Sequence, residues 1–360
     1  MVVENANAGV DGSTGYTFQK CCAIHLLLEN HESLKDRDYF LFIEHYDDFL
    51  FAFCDPSGHL IEVEAYQAKK GAEDWSTDKE LADIVRKLTI VGNNLINDPI
   101  PKVGNYIHNL HFITNRSINL TCGNRGKGAL KVKVYASNTS KKYCDLALQI
   151  QNNLCSKFEK DVQLYINELD NITFKYLDLP ARISSIKDQL VGSARRVLHT
   201  QVNDHVAVVD TLLQLLLEKE TTYNNAGNVR LSDPSKRLEK KEIDGTFNML
   251  IANSKAFDFW RNNANSLSKG LRISVSLRKN AKELLDNCFD YFKDIQQVEY
   301  KNIYNFVEST TKFDAISYSH EECIQSIYEY FLVKKSSKLE KHMIAFAVIA
   351  AYVETRNIND

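Results

Sequence analysis

Three short apolar runs between residues 38 and 69 set the pattern of the N-terminal half. Residues 39–45 and 49–53 are rich in Phe, Leu and Ile. After the turn residues Asp55, Pro56, Ser57 and Gly58, residues 60–69 carry Ile61, Val63, Ala65, Tyr66 and Ala68. Short β-rich runs punctuated by Pro and Gly predict consecutive strands. An apolar-rich helix is predicted over 16–30 from Phe18, Cys22, Ile24, Leu26, Leu27 and Leu28. Residues 1–14 are expected to be loosely held, with 11–15 a turn or helix start. Over 74–96, Leu81, Ile84, Val85, Leu88 and Val91 recur at helical spacing. Ser76 or Thr77 is the expected cap, with Glu80 at capping-box distance from Thr77. A fourth strand is predicted over 109–115. The expected order is therefore helix, three strands, helix, strand.

Past residue 141 the pattern turns helical, with helices predicted over 143–169, 183–199 and 206–217. Residues 221–244 are polar, charged and punctuated by Gly and Pro, and read as an exposed connector. Residues 245–360 are expected to be mostly helical, most clearly over 281–308 and 320–333. Residues 343–353 read as a buried final helix.

Composition narrows the function classes. A chain of 360 residues predicts two domains or three. Its formal net charge is −3. A DNA-holding protein usually shows a basic face. If this one holds DNA, its basic residues are clustered or binding needs several subunits or a partner. The eight cysteines lack C-x-x-C spacing and read as free thiols in a reducing cytoplasm. The N-terminus does not resemble a signal peptide, and the longest apolar run, 343–353, falls short of the ~20 residues of a membrane span. A soluble cytosolic protein is expected. The glycine-rich run from Cys122 lacks the phosphate-loop spacing, because Gly128 follows Lys127. It reads as a basic loop meeting DNA phosphate through Arg125, Lys127 and Lys131, or as a plain solvated loop. Arg195 and Arg196 read as ordinary surface charge or as an extension of a DNA face.

The polar residues of the strand region stand out. Glu44, Asp47 and Asp48 fall at the junction of the first two strands. Gln67 and Lys69 fall near the end of the third, on one side of it because strands alternate with period two, and Lys70 points the other way. An acid followed on the next strand by (Asp/Glu/Gln)-x-Lys resembles the PD-(D/E)XK nuclease pattern, with Asp47 or Asp48 as the acid. The ordered run of motifs is more specific. Gly15-Tyr16-x-Phe18-Gln19, Glu44-x-x-Asp47-Asp48, Tyr66-Gln67-x-Lys69, Trp75-Ser76-Thr77 and His111-Phe112-Ile113-Thr114-Asn115 follow one another. In that order the chain resembles the double-stranded-DNA nuclease domain of bacterial anti-phage effectors, as in CBASS nuclease effectors and the nuclease subunit of Lamassu systems. The resemblance spans roughly residues 10 to 215. No recognisable cyclic-nucleotide-sensing domain follows it, and the length suits the Lamassu subunit better.

The resemblance implies an α/β (α+β), restriction-endonuclease-like αβββαβ core in a nuclease domain over 1–220. A connector over 221–244 and a helical regulatory or oligomerisation domain over 245–360 would complete the chain. It implies a Mg²⁺- or Mn²⁺-dependent endonuclease acting on double-stranded DNA. An SMC-like ATPase and an accessory subunit would hold it inactive, and release would let it form homo-oligomers and cut. Asp48 or Asp47 would be the main metal ligand, with Asp48 preferred because it directly precedes the apolar strand. Gln67 takes the place usually held by an acid and ligates more weakly, and Glu44 can supply the missing charge. Lys69 would orient the water or stabilise developing negative charge. Gln19 would help to orient metal or phosphate, or simply face solvent, and Lys70 meets solvent or DNA backbone. Two rival readings stand beside this one. Gln67 in an acid's place also fits a non-catalytic interaction subunit with a nuclease fold. A cyclic-nucleotide-activated nuclease would need a sensing domain after Asp244.

Overall fold

The computed structural model describes residues 8–45, 47–123, 130–158, 164–202, 204–221, 231–294, 296–356 and 358; for residues 8–14, 44–45, 47 and 200 the backbone alone is described. The chain divides into two compact units, 1–197 with 205–243, and 198–204 with 244–360.

The first unit is a mixed α/β layer. Helix α1 (Ala8–Glu29) and the single turn α2 (His31–Leu34) lead into β1 (Asp38–His45), β2 (Asp47–Cys54) and β3 (Leu60–Lys69). These three strands pair antiparallel. Between β2 and β3 the turn closes on Asp55, whose Oδ1 accepts the N–H groups of Ser57 and His59 at 2.9 Å. Gly58 takes φ +81°, a left-handed conformation that glycine adopts without strain. A two-residue strand, β4 (Trp75–Ser76), precedes α3 (Lys79–Asn97), and α3 carries the chain over to β5 (Lys102–Thr114), parallel to β3. This is the predicted αβββαβ order. Helix α3 buries Leu81, Val85, Leu88 and Leu95 against Leu50, Val63, Ala65, Leu110 and Phe112. Phe40, Phe42, Phe49 and Leu50 are all buried, as expected of strands covered on both faces.

Strands β6 (Ile118–Cys122) and β7 (Leu130–Val134) join β4 in a small second sheet. The main sheet is completed by β8 (Ser140–Lys142), β9 (Ile172–Tyr176) and β10 (Arg237–Glu239), in the order β10-β1-β2-β3-β5-β9-β8. Helices α4 (Leu148–Cys155), α5 (Ile183–Leu198) and α6 (His205–Thr221) fill out this part of the chain.

The structure corrects several expectations. Helix α1 begins at Ala8 and runs through residues 11–15, where a turn or helix start is expected. The cap of α3 is Asp78, whose carboxylate accepts the Leu81 N–H at 3.0 Å. Thr77 is occupied elsewhere, accepting from Thr121 N and donating to Asn119 O. Residues 143–169 are not one helix. Tyr143, Leu146, Ile150 and Leu154 are all buried, but the Tyr143 N–H bonds the Ile172 carbonyl, so the chain is still tied to β9 there and α4 starts only at Leu148. The polar stretch read as a connector carries β10, which pairs with β1.

The second unit is helical: α7 (Lys240–Gly270), whose first turn still belongs to the first unit, α8 (Val275–Arg278), α9 (Ala281–Lys293), α10 (Val298–Ser309), α11 (His320–Lys334) and α12 (Lys341–Arg356). The predicted 281–308 segment is two helices, α9 and α10. Residues 344–353 of α12 are buried without exception and pack in this unit's own core. Among the described residues, no helix is long and apolar enough to cross a membrane.

Candidate active site

The paired end of the β2–β3 hairpin stops at Phe49 and Tyr66. Asp48 is the next residue, 9% exposed. Its Oδ2 accepts the main-chain N–H of Ala68 at 2.7 Å, which fixes the carboxylate against β3. The side-chain amides of Gln67, on β3, and Gln19, on α1, and the Lys69 ammonium all favour the charged form of the same carboxylate, Lys69 most strongly. Burial raises the Asp48 proton affinity, and Lys69, the Ala68 N–H, Gln67 and Gln19 work against that; the net shift is upward. Cys22, fully buried one turn along α1 from Gln19, also feels the Asp48 charge. Burial first, then the neighbouring Cys21 and after it Asp48, push its thiol well above its usual range.

Four of the residues singled out in the sequence thus meet: Gln19, Asp48, Gln67 and Lys69. Gln19 and Gln67 are buried, so the solvent-facing reading of Gln19 does not hold. Lys70 is exposed at the end of β3. Glu44 and Asp47 lie in β1 and β2, and their side chains are outside the described residues, as are Arg125 and Lys127 entirely. Lys131 lies on β7, paired with Thr121. Arg196 forms an ion pair with Glu29 at 2.6 Å, which makes it a helix-to-helix contact within the first unit.

Two groups carry interactions that the sequence does not reveal. On the opposite side of β3 from Gln67 and Lys69, Glu64 accepts from the Tyr66 hydroxyl and lies 3.3 Å from His111 Nε2. Tyr66 stacks on His111 at 4.6 Å, and Lys175 reaches over the Tyr66 ring at 5.6 Å. Beside Lys69, its register partner Thr114 accepts from Trp75 Nε1 at 3.0 Å, and the next residues, Asn115 and Arg116, bond the main chain of Gly71. The sequence motifs include His111, Thr114 and Asn115 but assign them no partner; Arg116 carries no signal at all.

Asp48 brings a carboxylate, and the Gln67 and Gln19 amides beside it each carry one carbonyl oxygen, oxygen ligands of the kind a hard divalent cation takes. A buried carboxylate whose ionisation burial disfavours is also a place where a cation is stabilising. The residues therefore fit such an ion. Among the described residues no three His, Cys, Asp or Glu side chains cluster in a way that could hold a metal, so Gln67 and Gln19 are the neighbours available to Asp48 there.

No curated protein and no solved structure matches the chain. Residues 7–222 match the family model described as "Cap4, dsDNA endonuclease domain". With more than half of its length matched, and with the αβββαβ core and the Asp48, Gln67-x-Lys69 arrangement in place, the chain belongs to the Cap4 dsDNA endonuclease domain family, a nuclease domain of the PD-(D/E)XK kind.

Proposed function

We propose that this protein is a double-stranded-DNA endonuclease of anti-phage defence, with its active site at Asp48, Gln67 and Lys69 and with Gln19 in support. The observation that carries this reading is the convergence of Gln19, Gln67, Lys69 and the Ala68 N–H on one buried carboxylate. A structural ion pair needs no such set.

Asp48 and the Gln67 amide oxygen would hold a divalent cation, Mg²⁺ or Mn²⁺, with Asp47 and Glu44 as further carboxylates. Such an ion supplies Lewis-acid stabilisation of the phosphoryl oxygens and a more acidic water. The protein's own residues do the rest. The Ala68 N–H holds Asp48 in one orientation, so the carboxylate need not reorganise during the reaction. Lys69 keeps a positive charge where negative charge develops on the phosphoryl group, and its N–H groups can orient the attacking water. Lys70 meets the DNA backbone.

The finer reading is a Lamassu-type cytosolic effector. An SMC-like ATPase and an accessory subunit hold it silent, and release allows it to form homo-oligomers. A chain of net charge −3 gathers enough positive surface for DNA more readily as several copies than as one. A second reading, a non-catalytic subunit on the nuclease fold, is favoured by Gln67, because a neutral amide binds a cation more weakly than a carboxylate does.

Plasmid cleavage by the full chain with Mg²⁺ or Mn²⁺, over a range of protein concentrations and beside Lys69→Ala, tests this. Cutting that steepens with concentration and disappears in Lys69→Ala is the expected result. Cutting that Lys69→Ala leaves intact removes this active-site assignment. No cutting by the wild type, alone or with co-expressed partner subunits, leaves the non-catalytic reading.

A further inference from the structure

Lys69 and Thr114 are the last register partners of the parallel pair β3 and β5. Beyond them the two chains leave the sheet side by side, and the segment after Lys69 is tied down. Asn115 Oδ1 accepts the Gly71 N–H at 3.3 Å, while Asn115 Nδ2 donates to the carbonyls of Leu179 and Pro180 at 3.4 and 3.3 Å. Arg116 Nε donates to the Gly71 carbonyl at 3.0 Å. The Arg116 stem lies flat across the Gly71 backbone: a Cβ on Gly71 would stand 2.6 Å from Arg116 Cγ and 2.9 Å from the Glu73 carbonyl. Glycine is what lets the arginine come this close.

That contact uses only the Nε–H. Among the described residues, neither Arg116 nor its neighbour Lys70 forms an ion pair, and the Arg116 Nη groups make no hydrogen bond. Arg116 is half-buried and Lys70 exposed. A strap that only closed a loop would not need a charged fork with its far end free. A guanidinium fixed at Nε still offers two N–H edges in a plane, which match two non-bridging phosphate oxygens, and being fixed already it loses little freedom on binding.

We infer that Arg116 is a DNA-phosphate-binding residue that grips the backbone next to the phosphate held at Asp48 and Lys69, with Lys70 as a second cation on the same edge. This rests on the nuclease reading above.

The test is a titration of the full chain with a fluorescent DNA duplex, followed by anisotropy at several salt concentrations with Ca²⁺ present and absent. Wild type, Arg116→Gln, Arg116→Lys and Gly71→Ala are compared, each with a thermal melt. Removing a single phosphate interaction lowers the slope of log affinity against log salt by about 0.9. Arg116→Gln should show that drop and bind roughly tenfold more weakly. Arg116→Lys should keep the slope, since it keeps the charge, and lose part of the affinity with the Nε anchor. Gly71→Ala, which displaces the arginine stem, should weaken binding as well. Arg116→Gln with wild-type affinity and slope but a lower melting temperature would overturn the inference and leave Arg116 as a strap. If Arg116→Gln does not fold, Arg116→Lys decides: affinity and slope both equal to wild type overturn the inference. A wild type that binds no duplex under any of these conditions strikes at the nuclease reading itself.

Discussion

Asp48 is under two opposed demands. In the proposed reaction, holding a cation needs it ionised, while burial favours its proton. Asp48→Asn keeps an oxygen for the Ala68 N–H and removes the buried charge. Plasmid cutting should fall by at least about a hundredfold, while the melting temperature stays level or rises, since burying a charge is costly. Loss of cutting together with a collapse in melting temperature would instead mark Asp48 as structural. The group on the other side of β3 contributes to acid stability. Burial alone would raise the Glu64 pKa, but His111, Tyr66 and Lys175 outweigh it and bring it down from 4.5 to about 2. Burial, first among its influences, lowers the His111 pKa from 6.5. In both windows the unfolded chain holds the proton that the folded chain lacks, so stability falls as pH falls, first below 6.5 and then from 4.5 towards 2. Glu64→Gln should remove the second part, of the order of 1–3 kcal/mol. Urea midpoints of wild type and variant at neutral and acid pH check this: the gap between them should close in acid.

At the level of elements, two glycines in helices predict opposite outcomes. In α3, a Cβ on Gly92 would stand 2.2 Å from Glu168 Oε2. That oxygen cannot move aside freely: it is buried and held by His108 Nε2 at 2.6 Å and Asn171 Nδ2 at 3.0 Å. Gly92→Ala should cost about 1–3 kcal/mol. In α5, a Cβ on Gly192 meets nothing within 4 Å, so Gly192→Ala should gain about 0.5–1 kcal/mol from helix propensity alone. Denaturant melts of the two variants should move in opposite directions; a shared direction would remove the packing argument for Gly92. The same distinction governs what the sequence made legible. Strands β1 to β3 and helix α3 follow from apolar spacing within one segment, and Asp48, Gln67 and Lys69 follow from where a hairpin ends. Strands β8 and β9 do not: the Tyr143 N–H is claimed by Ile172, nearly thirty residues away, and that bond overrides a helical pattern. The Glu168 contact with Gly92 and the Arg116 contact with Gly71 also join distant segments, and no local pattern announces either. Gln67 is legible as a departure from the acid, but its influence on Asp48 becomes visible only once β2 and β3 are paired.

At the scale of the whole molecule, each unit has its own core, and each contains one of the two tryptophans. Trp75 packs edge-on against Phe112 at 5.1 Å in the first unit, and Trp260 meets Phe346 at 5.2 Å in the second. Gln19, Asp48, Gln67 and Lys69 all belong to the first unit. Separate cores predict separate stabilities. Phe346 is fully buried, and Phe346→Ala should cost about 3–5 kcal/mol. Each tryptophan can be isolated by replacing the other with Phe, and the effect of Phe346→Ala measured within each background. The transition reported by Trp260 should move to lower denaturant, and the transition reported by Trp75 should stay where it is. If both move together, the two units fold as one body. If only Trp260 responds, the same variant becomes a test of the helical unit's role. A unit that governs assembly should take the concentration dependence of plasmid cutting with it when it is loosened, while the first unit keeps its fold.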